Sequence, residues 1–182
     1  MAMFGCLAVV ALLACASLPK VLDPSGIDLN VTALSDRMVM VYYGQGGPFS
    51  VDPYLPITGF MIGKQFSYVV LRIQLVSLRK SHISLIDARA TDSDGKVVAR
   101  LHSRQDFEAL IRSQTADEQA IGRLDTKVDQ TYFPDGGVET VPGERTYTAV
   151  LVADTTIHLP VPISVEISVD GEARNLLAQW VH

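Results

Sequence analysis

Alternation with a period of two runs through most of this chain. From Phe66 to Leu78 (FSYVVLRIQLVSL), Val69, Leu71, Ile73 and Leu75 fall on one side, and Tyr68, Val70, Arg72, Gln74 and Val76 on the other. That pattern predicts a strand with one buried face. Ile27 to Ala33 repeats it with Ile27, Leu29 and Val31. Arg37 to Tyr43 (RMVMVYY) is apolar throughout and predicts a strand covered on both sides. His82–Thr91 and Gly95–Leu101 flank Asp94-Gly95, a dipeptide that favours a two-residue hairpin turn. Two further strands are expected over Arg145–Ala153 and Val161–Val169, joined by a kinked TTIHLP segment. The tail from Ala173 to His182 reads as a last strand anchored by Trp180.

The period changes once, near the middle. Ser103 can cap a helix, Asp106 sits in its first turn, and Phe107, Leu110 and Ile111 share one face. Thr115 and Glu118 have the spacing of a capping box for a second short helix ending near Leu124. A helical insertion over 103–124 is therefore expected between strands. About seven strands with hairpin signals and this insertion predict a mainly β fold, an antiparallel β-sandwich spanning 27–182.

Composition narrows the functional classes. The chain has 182 residues, enough to bury one core without metal or disulfide staples, and a formal net charge of −5. Nucleic acid is not an expected partner, because such a protein needs a basic face. Both cysteines, Cys6 and Cys15, lie in the first fifteen residues, so the domain beyond them has no disulfide, no thiolate nucleophile and no Cys-based zinc site.

The chain carries few residues in catalytic or cofactor-binding patterns. The four histidines, His82, His102, His158 and His182, show no H-x-x-x-H spacing, so no metal site is assigned. Asp92-Ser93-Asp94-Gly95 places its glycine too early for an EF-hand and reads as a turn. No G-x-S-x-G is present, and Gly44-Gln45-Gly46-Gly47 lacks the residues of a phosphate cradle. No catalytic residue and no cofactor are expected. The long Gly- and Pro-rich loop 44–59 carries Phe49, Tyr54, Leu55 and Ile57, which are the candidate partner-binding residues.

The leader carries a family resemblance. No charged side chain occurs before Lys20, and Met3–Leu13 (MFGCLAVVALL) has the length of a signal-peptide apolar core. Leu12-Leu13-Ala14-Cys15 resembles the lipobox of bacterial lipoproteins. The resemblance implies a signal peptide over 1–14, lipid on Cys15, and a tether over 15–26. Ala16 after the cysteine leans toward the outer membrane. The n-region lacks the usual Lys or Arg, which leaves open an uncleaved anchor or a plain signal peptide cut near Ala16.

A second resemblance covers roughly residues 66–169. The long strand, the IDARATDSDGKVV hairpin, the Pro142-Gly143-Glu144 step and the RTYTAVLVADTTIHLPVPISVEIS run are similar to immunoglobulin-like domains of bacterial surface lipoproteins. The helical insertion departs from that pattern. The resemblance implies a domain that binds or scaffolds. The expected function is a non-catalytic, membrane-anchored envelope lipoprotein, an accessory or assembly subunit with an envelope protein partner. The alternatives are a carrier holding a small apolar ligand between sheets, and an enzyme of unknown type.

Overall fold

The computed structural model describes residues 25–34, 67–114, 132–153, 155, 157–158 and 160–181. The expected strand over 37–43, the 44–59 loop and the second helix of the insertion lie outside the described residues. The described chain is mainly β. Its strands are β1 (Ile27–Leu34), β2 (Ser67–Ser77), β3 (His82–Thr91), β4 (Val97–His102), β5 (Val138–Glu139), β6 (Gly143–Ala153), β7 (Ile163–Val169), β8 (Glu172–Leu177) and β9 (Gln179–Val181). One helix, α1 (Arg104–Gln114), follows β4. Among the described residues no helix is long and apolar enough to cross a membrane.

All nine strands join one hydrogen-bonded sheet in the order β8-β7-β3-β4-β6-β2-β1-β9, with β5 paired to the start of β3. Every pairing between neighbouring strands is antiparallel except β1 with β9. The sheet nearly closes on itself. The C-terminal segment pairs with β7 through Glu172–Leu177, then crosses to pair with β1 through Gln179–Val181. The tail thus supplies two strands where its sequence suggested one. Trp180 is the anchor: its Nε1 donates to the Val161 carbonyl at 2.7 Å.

The alternation in β2 is observed as expected. Val69, Leu71, Ile73 and Leu75 are buried and register with Leu151, Ala149, Tyr147 and Arg145 of β6. On the other side Val31 and Ala33 stand opposite Ile73 and Leu71. Nonpolar side chains facing inward from β1, β2, β3, β6 and β7 make one core cluster, which is the main favourable term in holding the sheet. A second buried group lies on the opposite face, where Val70 stands opposite Val150. There the Tyr132 hydroxyl accepts from the Val150 N–H at 3.3 Å and donates to the His102 carbonyl at 2.9 Å. Phe107 of α1 is fully buried and stacks on Tyr132 with ring centroids 5.5 Å apart.

Two local features depart from simple alternation. Strand β3 carries a bulge between Leu85 and Asp87. It changes which parity points inward: Ile83 is buried before it, Ala88 and Ala90 after it, and Ile86 is left exposed. An extra residue does this because side chains alternate with a period of two. The β3–β4 turn is longer than the expected two residues. Asp92 N–H donates to the Lys96 carbonyl, Gly95 N–H to the Asp92 carbonyl, and Asp92 Oδ1 accepts from Asp94 N–H and Lys96 N–H. Gly95 takes a φ of 78°, a left-handed conformation that glycine adopts at least cost.

Candidate functional site

The residues singled out by sequence, Cys15 for lipidation and Phe49, Tyr54, Leu55 and Ile57 for partner binding, lie outside the described residues. Within them, two concavities come closest to a binding site.

The larger lies at the end of the sheet that carries the β3–β4 turn. It encloses about 630 Å³ and is open to solvent. Val98, Ile157, Pro160, Val161 and Pro162 supply its apolar lining, and Asp92, Ser93, Thr155 and His158 its polar lining. Its shape follows from the sequence nearby. Pro160 and Pro162 lack a backbone N–H and hold φ near one value, so neither can donate to a ladder, while the Pro162 carbonyl accepts from the Thr91 N–H at 3.0 Å. Trp180 fixes Val161 from behind through its hydrogen bond. The Asp92 carboxylate is occupied by its own turn and braces the opposite wall. The result is a mainly apolar cleft with a few polar groups, the usual lining of a site that takes a side chain or small apolar group.

The smaller, about 300 Å³, is lined by Asp87, His102, Ser103, Asp106, Tyr132 and Asp135, among others, at the N-terminus of α1. It gathers a histidine, a serine and three carboxylates, and so is the natural place to look for catalysis. The hydrogen bonds run the wrong way for it. Ser103 Oγ donates to Asp106 Oδ2 at 2.8 Å and accepts from the Asp106 N–H at 3.0 Å. Asp135 Oδ1 accepts from the Arg104 N–H at 2.8 Å. These are helix caps that satisfy N–H groups at the start of α1, as Ser103 and Asp106 suggested in sequence. A nucleophilic serine would have to give its proton to the histidine. His102 is the last residue of β4, immediately before the cap, and its Nδ1 is buried without a hydrogen-bond partner. Among the described residues no group of three His, Cys, Asp or Glu side chains could hold a metal ion.

A third polar cluster lies at the opposite end of the sheet from the large cleft. Arg79 Nη2 and Asp170 Oδ2 are 2.8 Å apart, and His82 Nδ1 lies 3.1 Å from Glu139 Oε1. The His82 backbone N–H, donating to Asp170 Oδ1 at 2.9 Å, holds the Asp170 carboxyl below its ordinary range, with the Arg79 guanidinium adding to the effect. Its members come from three separate stretches of the chain, around residues 79–82, at 139 and at 170, so no local motif announces it.

No protein-family model matches this chain, and no curated protein does. Among solved structures, the chain is similar to the Northeast Structural Genomics Consortium target SoR45, with a TM-score of 0.35 and 13% identity over 85% of this chain and 83% of that one.

Proposed function

We propose that this chain is a non-catalytic lipoprotein of the bacterial cell envelope, anchored through Cys15, whose domain presents a binding cleft to a protein partner. One observation carries the reading. Strand β1 starts at Ile27, opposite Ser77 at one end of the sheet, and the large apolar cleft lies at the other. Strand β2, which runs between the two ends, has 11 residues, or about 36 Å at 3.3 Å per residue. A lipid on Cys15 would therefore attach the domain at the end opposite its cleft, leaving the cleft open to a partner.

The same proposal reads the fold as an immunoglobulin-like sandwich. The sheet order supports this by falling into two runs, β4-β6-β2-β1 and β3-β7-β8. Strand β4 joins them at one edge, pairing with β3 through Val97–Arg100 and with β6 through Arg100–His102. The β8–β9 segment joins them at the other edge, pairing with β7 through Glu172–Leu177 and with β1 through Gln179–Val181.

The test has two parts. Intact mass of the native protein and of a Cys15→Ser variant should show a species starting at Cys15 with a diacylglycerol-sized addition, lost in the variant. A photo-crosslinker at Ile157 should give one discrete protein adduct in cells, and one on the exposed Ile86 should not. An unlipidated mass removes the anchor. Equal labelling from both positions removes the cleft as the contact. The carrier reading survives on the same cleft, since 630 Å³ also fits a small apolar molecule. A small molecule seen with the protein by native mass spectrometry, and displaced by Val161→Trp, would favour it.

A further inference from the structure

We infer that the end of the domain where β1 starts and β2 turns into β3 is a membrane-contact surface, which rests on the lipid bilayer holding the anchor. This rests on the proposal that Cys15 is lipidated. Four large apolar side chains are exposed among the described residues, and two of them, Leu78 at 61% and Val141 at 51%, lie at this end. Leu78 occupies the β2–β3 turn with Arg79 and Lys80, and Val141 follows Thr140 before β6.

The turn is joined to the point where the tether would arrive. Leu78 N–H donates to the Gly26 carbonyl at 2.9 Å, and Arg79 Nε donates to the Ser25 carbonyl at 2.9 Å. Thr140 braces the two apolar tips together. Its Oγ1 accepts from the Ser81 N–H at 3.0 Å and donates to the Arg79 carbonyl at 3.0 Å. A tip held this firmly loses little conformational freedom on contact.

Geometry names the occupant. Nine residues, 16–24, separate Cys15 from Ser25 and span at most about 35 Å when fully extended. The anchor therefore keeps Ser25 within about 35 Å of the headgroups. Contact is then an intramolecular event at high effective concentration, so two apolar side chains suffice where a free protein would need many. Leu78 and Val141 would enter the boundary between headgroups and acyl chains. The Lys80 side chain, 76% exposed, has its ammonium 3.6 Å from Glu139 Oε2, beyond a normal hydrogen bond, and can reach lipid phosphate while its stem lies along the apolar layer. Arg79 stays bound to Asp170 and to the Ser25 carbonyl and holds the turn.

The experiment uses the full-length acylated protein in vesicles of phosphatidylethanolamine and phosphatidylglycerol with a nitroxide on a fraction of headgroups. An environment-sensitive fluorophore is attached in turn through Leu78→Cys, Val141→Cys and, at the far turn, Asp94→Cys. Quenching several-fold stronger at positions 78 and 141 than at 94 is the expected result, and Leu78→Glu should abolish it at 141 while the lipid mass is retained. Lipidated protein quenched equally at all three positions overturns the inference and leaves the anchor standing. Protein without a lipid mass overturns the anchor and this inference together.

Discussion

Closure of the sheet by the C-terminal segment should depend on a single indole. Trp180 is the chain's one tryptophan. It packs partly buried against the core cluster and donates to the Val161 carbonyl at 2.7 Å, while its neighbours in β9 pair with β1. Trp180→Phe keeps most of the apolar contact and removes the donor. Leaving the Val161 carbonyl without its partner should cost about 1 kcal/mol, at the low end because the site is only part-buried. Trp180→Ala also removes the ring. Fully buried Trp→Ala changes cost about 3–5 kcal/mol, and partial burial brings the expectation here to about 2–4 kcal/mol. Urea unfolding followed by circular dichroism measures both variants. In the native protein, fluorescence reports on Trp180 alone, so opening of the closing segment before global unfolding would separate the fluorescence and circular dichroism transitions. If Trp180→Ala costs less than about 1 kcal/mol, the segment is not held by this residue. Trp180 would then not shape the large cleft through Val161 either.

Three further outcomes are expected. Gly137 has a φ of 81°, and an added Cβ would lie 2.7 Å from the Ile83 carbonyl oxygen, so Gly137→Ala should destabilise by about 3 kcal/mol or more in the same unfolding assay. Tyr132→Phe removes the hydroxyl that bridges the His102 carbonyl and the Val150 N–H, and should cost about 1–3 kcal/mol without altering the strand spectrum. Asp170 is held below its ordinary value of 3.8 in the folded state, so its contribution is full above that value and is lost as pH falls through the lower folded value. Asp170→Asn tolerates the left-handed φ of 52° and should flatten the fall in melting temperature below about pH 4; an unchanged acid limb would refute the assignment.

Strands were legible wherever alternation is regular. The run around β2 announces its own buried face, and the Ser103–Asp106 cap is visible because caps are local chemistry. Strand β3 shows where that reading stops. Simple alternation from Ile83 and Leu85 would turn Asp87 inward and Ala88 outward, but the bulge reverses them. A bulge is decided by the neighbouring strand, which β3 alone does not reveal. Tyr132 and Phe133 were hidden for a related reason. They stand in polar, turn-rich sequence, yet both are buried, because the faces they cover belong to β4 and β6.

The candidate sites divide in the same way. The lipobox-like leader and the poverty of catalytic motifs are properties of contiguous residues, so sequence alone determines them. The large cleft is built from the β3–β4 turn and the β6–β7 connection, about 60 residues apart, and exists only after the strands pair. The Arg79–Asp170 pair joins residues still farther apart in the chain, about 90 positions. Sequence determined which stretches could be strands, because burial of one face imposes a period of two on each strand by itself. Only the tertiary structure decided which strands are neighbours, where β3 changes parity, and that the C-terminal segment joins both edges. Those outcomes depend on hydrogen bonds and packing between residues far apart in the chain, and no local pattern encodes them.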